Sequence, residues 1–530
     1  MVFTVQIRWR RTLRRIGSRA LPARTCLNDS RRGHSFSGSE KSSRRAHDCP
    51  SNPGACPVPG LISEYPDSEP CHQPRAAYPD KLKNCVARSM RASLIVAMPN
   101  VIWIFGDQHR AQAMGHMGDE NARTPNLDRM AARGVPFRHA ISGCPWCTPF
   151  RGSLLTSRYT HRATQRTPQA LDTSLPTIAD AFNDQGYKTA WFGKWHLVGS
   201  NKMEYVPREA RGRFQTWIGY ENNNAQYDCW VHGHDENGRD DSEPLTEKLQ
   251  IYETDALTNK LLEYIKEQKP GNPFFSVLSV QPPHDPYVAP PEYLEKYSSE
   301  SVRLRPNVPG IPRIEEPTRK DLAGYYAMIE NLDWNVGRVL DALEEQGLSE
   351  ETHVFFFSDH GDSHGSHGHF RKSNPYEEAL RIPCIVLPAG GTRSRQFSDA
   401  PFNHVDFAPT TLGLCGIDKP EWMDGTDYSS HIIPERPEPV KELKSAYIQQ
   451  CVRKRFQSVN RTWRGIRTND GWKYVCLEGQ PLVMFDLNED PYETLNLAFL
   501  DSHNNKREEL QAELAGWIER TDDDFPLPEL

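Results

Sequence analysis

Hydrophobic and polar residues follow two different periods along the chain from Met98 onwards. Short continuous apolar runs are typical of strands buried on both faces, and longer segments with apolar residues three or four apart are typical of amphipathic helices. The strands predicted in this way are 101–105, 187–192, 274–280, 353–357 and 382–387. The predicted helices are 124–134, 174–185, 254–268 and 321–346. Because strands and helices alternate, the pattern indicates an α/β fold with a doubly wound, mostly parallel sheet flanked by helices.

The pattern changes after residue 440. Four short segments of alternating polarity precede a helix predicted at 508–520, and they are 447–452, 462–468, 472–476 and 482–486. Short alternating segments favour antiparallel pairing, so residues 441–530 are predicted to form a smaller α+β subdomain beside a main domain at 98–440. Within the main domain, the Pro-rich segment 306–317 predicts irregular chain, and Asp235-Glu-Asn-Gly238 predicts a hairpin turn.

Composition separates the first 97 residues from the rest. They carry 17 Lys and Arg against 7 Asp and Glu, a net of +10, while the whole chain carries −7, so the remainder carries −17. They lack periodic apolar segments, which predicts either a disordered basic extension or a mis-called start, with translation beginning at Met98. A basic tail can contact nucleic acid or anionic lipid, but no aromatic interleaving or folded motif supports nucleic-acid binding.

No apolar run in the sequence approaches the length of a membrane span, and the N-terminus is a poor secretory signal. These features predict a cytoplasmic protein without membrane or nucleic-acid partners. The 12 cysteines divide into five before residue 98 and seven after it, with wide spacings, so no disulfide framework is expected. Cys144-Pro-Trp-Cys147 is formally a Cys-x-x-Cys string, but no thioredoxin-like pattern accompanies it.

The most distinctive local pattern is Cys147-Thr148-Pro149-Phe150-Arg151, followed by Leu154 and Leu155. It places a thiol and a guanidinium four residues apart. If a helix begins after Pro149, its free backbone N–H groups and Arg151 create an anion site around position 147.

Four polar clusters follow four of the predicted strands. They are Asp107-Gln108-His109, Lys194-Trp195-His196, His284-Asp285-Pro286 and Ser358-Asp359-His360-Gly361-Asp362. In open α/β sheets, ligands bind outside the carboxyl ends of the strands. We therefore expect the four clusters to converge at one edge of the sheet.

These residues resemble the motifs of the sulfatase family, within the alkaline phosphatase superfamily. The resemblance covers roughly residues 98–500 and rests on the Cys147 string, Gly193-Lys194-Trp195-His196, Pro283-His284-Asp285-Pro286 and Ser358–Gly361 with Lys372. It implies that 98–440 is a sulfatase-like catalytic domain that hydrolyses sulfate esters. It also implies that a formylglycine-generating enzyme oxidises Cys147 to formylglycine, whose hydrated aldehyde is the nucleophile.

The resemblance also assigns roles to individual residues. The catalytic set would be Cys147, Arg151, Lys194, His196, His284 and Lys372, with His284 protonating the leaving alcohol and His196 accepting a proton from the second hydroxyl. One divalent cation would be held by Asp107, Gln108, Cys147, Asp359 and His360. Ca²⁺ suits such oxygen ligands. Gln108 stands where the family frequently has Asp, and His360 where it frequently has Asn, which makes Mn²⁺ plausible as well.

Two other functions remain open on these motifs. The same Asp-Gln and Asp-His pairs resemble related phosphonate monoester hydrolases, so phosphonate monoesters or phosphodiesters are alternative substrates. A non-catalytic sulfate- or glycan-binding relative would be expected to lack Cys147, Arg151 or Lys194, and all three are present. The substrate would be a small-molecule or carbohydrate sulfate ester, whose alcohol is set by rim loops such as 222–243 and 288–317. The sequence specifies neither that alcohol nor the oligomeric state.

Overall fold

Nine of the strands in the described part of the protein form one large sheet. The structure is a computed structural model, and it describes residues 98–164, 170–199, 205–235, 247–392, 397–437, 443–452 and 459–529. In chain order the strands are β1 Asn100–Gly106, β2 Val135–Pro136, β3 Lys188–Lys194, β4 Thr216–Tyr220, β5 Trp230–His234, β6 Glu247–Lys248, β7 Phe274–Ser279, β8 Thr352–Ser358 and β9 Cys384–Leu387. Their order across the sheet is β2-β9-β8-β1-β7-β3-β4-β5-β6. The five adjacent strands β8, β1, β7, β3 and β4 are parallel, and antiparallel pairs complete both edges. The predicted mostly parallel sheet is confirmed.

Both faces of this sheet are covered, which explains why its central strands read as continuous apolar runs. Val101, Trp103 and Phe105 of β1 enter one hydrophobic core, and Ile102 and Ile104 enter the core on the opposite face. The helices among the described residues are α1 Pro125–Arg133, α2 Cys147–Thr156, α3 Thr160–Ala163, α4 Ile178–Asp184, α5 Glu253–Glu267, α6 Pro291–Leu294, α7 Pro312–Glu345, α8 Glu377–Leu380, α9 Phe407–Leu414 and α10 Asn504–Thr521.

The prediction that 306–317 is irregular was wrong for its second half. Helix α7 begins at Pro312, because a proline in the first turn has no N–H that would otherwise need a helical partner. Pro317 removes one further backbone donor near the start of a 34-residue helix. Helix α4 is shorter than predicted, because Thr177 and Asp180 form a capping box that fixes its start. The hairpin turn predicted at 235–238 lies outside the described residues apart from Asp235.

The C-terminal residues form a separate four-stranded antiparallel sheet, as predicted. Its strands are β10 Ser445–Gln450, β11 Trp463–Thr468, β12 Trp472–Leu477 and β13 Gln480–Asp486, in that order. One face of the sheet packs on Leu510, Leu514 and Trp517 of α10. The other face shares a core with Ile141 and Leu380, which fixes this sheet against the main part of the molecule.

A buried ion pair holds the C-terminal segment to this sheet. Arg464 donates to Asp523 through two hydrogen bonds of 2.6 and 3.0 Å, and the Asp523 side chain is fully buried. We expect Arg464→Ala to lower the free energy of unfolding by about 3–5 kcal/mol, because it leaves a carboxylate buried without its cation. Denaturant unfolding monitored by Trp fluorescence measures this loss. The matched control is Arg129→Ala, whose exposed pair with Asp341 is worth less than about 1 kcal/mol. Equal losses in the two variants would contradict the expectation.

Residues 1–97 are predicted to be dispensable. Their sequence supplies no periodic apolar face that could add to the cores described above. A chain shortened to 98–530 should therefore keep the melting temperature and turnover of the full chain, measured by calorimetry and by ester hydrolysis. A large fall in either quantity would show that the segment contributes to the fold or the site.

Within the part of the chain that the structure describes, every helix is too short or too polar to span a bilayer.

Candidate functional site

Four neighbouring parallel strands end at the same edge of the large sheet, and each delivers one of the polar clusters. Asp107 follows β1, Lys194 is the last residue of β3, His284 lies shortly after β7, and Asp359 follows β8. Lys194 Nζ lies 2.5 Å from Asp107 Oδ2, and the backbone N–H of Gln108 donates to Asp359 Oδ1 at 3.0 Å. The strand order β8-β1-β7-β3 thus brings Gln108 and Asp359, which are 251 positions apart in sequence, into contact.

Cys147 lies at the centre of this cluster and is the first residue of α2. Its side chain is almost fully buried, with Sγ 3.2 Å from Lys372 Nζ, 3.2 Å from His360 Nε2 and 3.4 Å from Asp107 Oδ1. Burial and Asp107 raise the pKa of the thiol, but the positive charges of Lys372 and Lys194 outweigh them and lower this pKa to about 6. Position 147 therefore favours a negatively charged group.

Two buried carboxylates, of Asp107 and Asp359, lie close to the thiol of Cys147 and the imidazole of His360. The ligand atoms of Asp107, Cys147, Asp359 and His360 all lie within 4.8 Å of one another. Burial and the neighbouring Asp107 raise the pKa of Asp359 to about 6. Burial lowers the pKa of His360, but Asp359 outweighs this effect and raises it to about 9. Two carboxylates, a thiol and an imidazole whose ligand atoms lie this close together could hold a metal ion in addition to the cationic side chains that contact them.

Gln108 presents its amide oxygen to the same group. Its backbone adopts a left-handed conformation with φ 74°, and Oε1 accepts a hydrogen bond from Lys372 Nζ at 2.8 Å. Its Nε2 donates to Asp362 Oδ2 at 2.7 Å, and Tyr287 donates its hydroxyl to the same oxygen at 2.6 Å. Because the Asp362 carboxylate only accepts hydrogen bonds, it fixes the amide with Nε2 towards Asp362 and Oε1 towards Lys372.

Arg151 and Lys194 supply positive charge beneath the cluster, and both side chains are fully buried. Arg151 Nη2 lies 3.4 Å from a carboxylate oxygen of both Asp107 and Asp359. Its Nη1 donates to Ser279 Oγ at 2.8 Å and to the backbone oxygen of Lys194 at 2.9 Å. The guanidinium therefore has a single fixed orientation. Ser279 was missed by the sequence analysis, because it is the last residue of an otherwise ordinary apolar strand.

The two candidate proton-transfer residues, His196 and His284, lie at the partly exposed rim of the site. Burial and the charge of Lys194 hold the pKa of His196 well below its usual range. Burial and the charge of Lys372 likewise hold the pKa of His284 well below its usual range. The Nδ1 atom of His284 lies 2.7 Å from the backbone oxygen of Asp285. A carbonyl at Nδ1 places the proton of a neutral ring there, so Nε2 of His284 is the free ring nitrogen.

A second group of possible ligand side chains exists among the described residues, formed by His367, Glu378 and Glu493. Cations of the protein already contact its carboxylates. Arg305 Nε lies 2.9 Å from Glu378 Oε1, and Lys473 forms an ion pair with Glu493. These internal cations neutralise the carboxylates, and the group offers only three ligand residues, one of them partly exposed, against the four buried ones around Cys147.

Two protein-family models match most of the described chain. The family model described as Sulfatase matches residues 99–417, and the model described as N-sulphoglucosamine sulphohydrolase, C-terminal, matches residues 365–520. An ulvan-active sulfatase of Formosa agariphila is 34% identical over 440 residues, which cover 81% of this chain and 82% of that protein. An endo-4-O-sulfatase of Bacteroides thetaiotaomicron is 30% identical over 490 residues, which cover 80% of this chain and 92% of that protein.

Solved structures share the fold. An enzyme crystallised with its substrate D-glucosamine-2-N,6-O-disulfate superimposes with a TM-score of 0.70 at 22% identity, covering 81% of this chain and 99% of that chain. A phosphonate monoester hydrolase of Agrobacterium radiobacter superimposes with a TM-score of 0.63 at 20% identity, covering 80% of this chain and 96% of that chain. The family matches and the sulfatase relatives lead to one conclusion: the chain belongs to the sulfatase family of the alkaline phosphatase superfamily and is a sulfuric ester hydrolase.

Proposed function

We propose that the enzyme cleaves sulfate esters through a formylglycine formed from Cys147 and with the help of one divalent cation. The observation that carries this proposal is the position of Cys147 Sγ, which lies within 3.4 Å of Lys372 Nζ, Asp107 Oδ1 and His360 Nε2. A nucleophile at this position would contact both a cationic donor and possible metal-ligating atoms. Such an environment stabilises both an oxygen nucleophile and the negative oxygens of a sulfate ester.

Conversion of Cys147 supplies a group that the thiol lacks. A thiolate that had become sulfated would have no second group through which to release sulfate. The hydrate of formylglycine supplies two hydroxyl groups on one carbon, one to attack sulfur and one to lose a proton afterwards. A formylglycine-generating enzyme is therefore a required partner during synthesis.

The donor set fits a hard or intermediate divalent cation. Asp107 and Asp359 supply carboxylates, Gln108 a correctly oriented amide oxygen, and His360 an imidazole. A cation held there would act as a Lewis acid on a sulfate oxygen. Carboxylate and amide oxygens suit Ca²⁺, and the imidazole makes Mn²⁺ an equally good candidate.

The remaining residues bind the ester and move protons. Arg151, Lys194 and Lys372 would neutralise the sulfate oxygens. His284 would give a proton to the oxygen of the leaving alcohol, and His196 would accept a proton from the second hydroxyl of residue 147. Burial and the neighbouring lysines lower the pKa of both imidazoles, and binding of the anionic ester beside His284 would raise it and favour the protonated form.

A second candidate substrate class is phosphonate monoesters or phosphodiesters. It is favoured by the ligand group itself, because Gln108 and His360 replace acidic or amide ligands and change the charge that faces the transferred group. An ester panel tests the two classes directly. We expect kcat/KM for 4-nitrophenyl sulfate to exceed that for bis(4-nitrophenyl) phosphate and for 4-nitrophenyl phenylphosphonate by at least about 10-fold, a difference of about 1.4 kcal/mol in transition-state stabilisation. The reverse order would assign the phosphorus esters as the substrates.

A further inference from the structure

The two proton-transfer histidines lie in short segments without helix or strand structure. Residues 196–199, here named the His196 segment, follow β3, and residues 281–288, here named the His284 segment, follow β7. Burial and the charges of Lys194 and Lys372 lower the pKa of both imidazoles, which places them beside the cationic groups around Cys147. Irregular chain has no regular ladder of backbone hydrogen bonds, so side chains from elsewhere must satisfy its polar groups.

Gln226 holds the middle of the His284 segment. It lies in the loop after β4, and its side chain is buried. Its Nε2 donates to the backbone oxygens of His284 at 3.2 Å and Pro286 at 3.0 Å. Its own backbone oxygen accepts the N–H of Glu253, the first residue of α5, at 2.8 Å. One buried amide group therefore fixes the backbone that carries the His284 imidazole.

The start of α5 holds both ends of the same segment. Glu253 Oε1 accepts the backbone N–H of Gln281 at 3.0 Å, and Tyr252 donates its hydroxyl to the backbone oxygen of Val288 at 2.9 Å. Glu253 and Tyr252 are both buried. Together with the two bonds from Nε2 of the loop glutamine, these contacts fix the His284 segment on either side of its imidazole.

Glu221 holds the His196 segment through a carboxylate. The side chain is fully buried, and its two oxygens accept the backbone N–H groups of Leu197 at 3.1 Å, Val198 at 2.9 Å and Gly199 at 3.2 Å. His196 has φ 58°, a left-handed conformation that is uncommon for a residue with a side chain. The three hydrogen bonds directly after it stabilise this backbone and so fix the direction of the imidazole.

We infer that Gln226 and Glu221 are positioning residues for two different proton transfers, Gln226 through His284 and Glu221 through His196. The inference rests on the proposed function. In the first step the bond from sulfur to the oxygen of residue 147 forms, the bond from sulfur to the alcohol oxygen breaks, and that oxygen takes the proton of His284 Nε2. In the second step His196 takes the proton of the remaining hydroxyl of residue 147, the aldehyde C=O forms, and the C–O bond to sulfate breaks.

The alcohol leaves only in the first step, so the His284 anchor should show a dependence on the leaving group. The 4-nitrophenolate ion is stable without a proton, whereas the more basic 4-methoxyphenolate needs one. Gln226→Leu removes the Nε2 donor and should lower kcat/KM at least about 10-fold for 4-methoxyphenyl sulfate and less than about 3-fold for 4-nitrophenyl sulfate. Tyr252→Phe, a milder change at the same segment, should give the same order of losses and carries the test if the leucine variant does not fold.

The His196 anchor should show a separation of kcat from kcat/KM. Since kcat/KM covers the reaction only up to loss of the alcohol, a defect in sulfate release lowers kcat and KM together. Glu221→Gln removes the charge and one acceptor oxygen. It should lower kcat at least about 10-fold, to the same value for both esters, and change kcat/KM less than about 3-fold. Sulfated residue 147 should accumulate, and mass spectrometry of the tryptic peptide 139–151 from quenched enzyme detects it.

Gln268→Leu is the matched control, because Gln268 Nε2 also donates to a backbone oxygen, that of Tyr264 at 2.8 Å, at the opposite end of α5. It should produce neither effect. Equal losses on both esters in the Gln226 and Tyr252 variants would overturn the inference, since they would indicate general support of the fold. A Glu221→Gln enzyme that loses kcat/KM without accumulating sulfated residue 147 would overturn it as well. Failure of the proposed function looks different, because wild-type enzyme with a converted residue 147 would then hydrolyse neither ester.

Discussion

Cys147→Ala is expected to lower kcat by at least about 10⁴-fold, because it removes the nucleophile while leaving the cationic pocket that binds the ester. Cys147→Ser should accumulate a sulfated serine, since a serine ester lacks the second hydroxyl needed to release sulfate. In wild-type protein made together with a formylglycine-generating enzyme, the tryptic peptide 139–151 should be lighter than its unmodified form. Mass spectrometry of this peptide, paired with an aryl sulfate assay, measures both effects.

Cys144 provides a matched control three residues away. It is fully buried like Cys147, but burial raises the pKa of its thiol well above the usual range, because Lys372 and Lys194 do not offset it there. Cys144→Ala should therefore retain activity, and residue 144 should remain an unmodified cysteine. Fully active enzyme with unmodified Cys147 would overturn the proposed mechanism.

The central strands could be predicted from sequence because burial on both faces gives them an unmistakable composition. The run Val101–Phe105 needed no alternation to be recognised, and the structure extends it by one residue at each end, to Asn100–Gly106. The start of α7 could not be predicted in this way, because four prolines in the twelve residues 306–317 are typical of irregular chain. Whether they are tolerated depends on where the first turn of the helix begins.

The residues that support the site were harder to find than those that form it. Asp107, Lys194 and Asp359 follow apolar runs and carry charge, so topology alone suggests that they meet. Ser279 and Glu221 look like ordinary strand-end and loop residues. Their roles depend on β7 lying between β1 and β3 and on the loop after β4 reaching the His196 segment, and no local pattern specifies either neighbour.

The same reasoning separates the two groups of buried acidic residues. Both contain a histidine and two carboxylates within reach of one another. The group with Glu378 and Glu493 has Arg305 and Lys473 as its own counter-ions. Asp107 and Asp359 also contact internal cations, Lys194 and Arg151, so charge balance alone does not separate the two groups. The first group offers four buried ligand residues and the second offers three, with His367 partly exposed, and we therefore expect metal binding at the first.

Removal of divalent cations is expected to abolish activity, with a loss of at least about 10³-fold, since the charge on the sulfate oxygens would no longer be stabilised at the carboxylate side of the site. Mn²⁺ should restore activity at least as well as Ca²⁺, because His360 and Gln108 replace harder anionic or amide ligands. Metal binding should also be visible without turnover. At 1,000 times its Kd, a cation that binds only the folded state raises the free energy of unfolding by about 4.1 kcal/mol, which a thermal shift detects.

A pair of isosteric variants makes the metal prediction specific. Asp359→Asn removes one carboxylate charge from the ligand group and should eliminate both the bound metal, measured by elemental analysis of the purified protein, and the thermal shift. Glu378→Gln removes a carboxylate charge from the other His/Glu group and should leave the metal content unchanged, because Glu378 is paired with Arg305 and not with a metal ion. Activity that persists in metal-free protein would exclude a catalytic metal. If Ca²⁺ restored activity and Mn²⁺ did not, the expected Mn²⁺ tolerance would be wrong. The carboxylates would then set the metal preference despite Gln108 and His360.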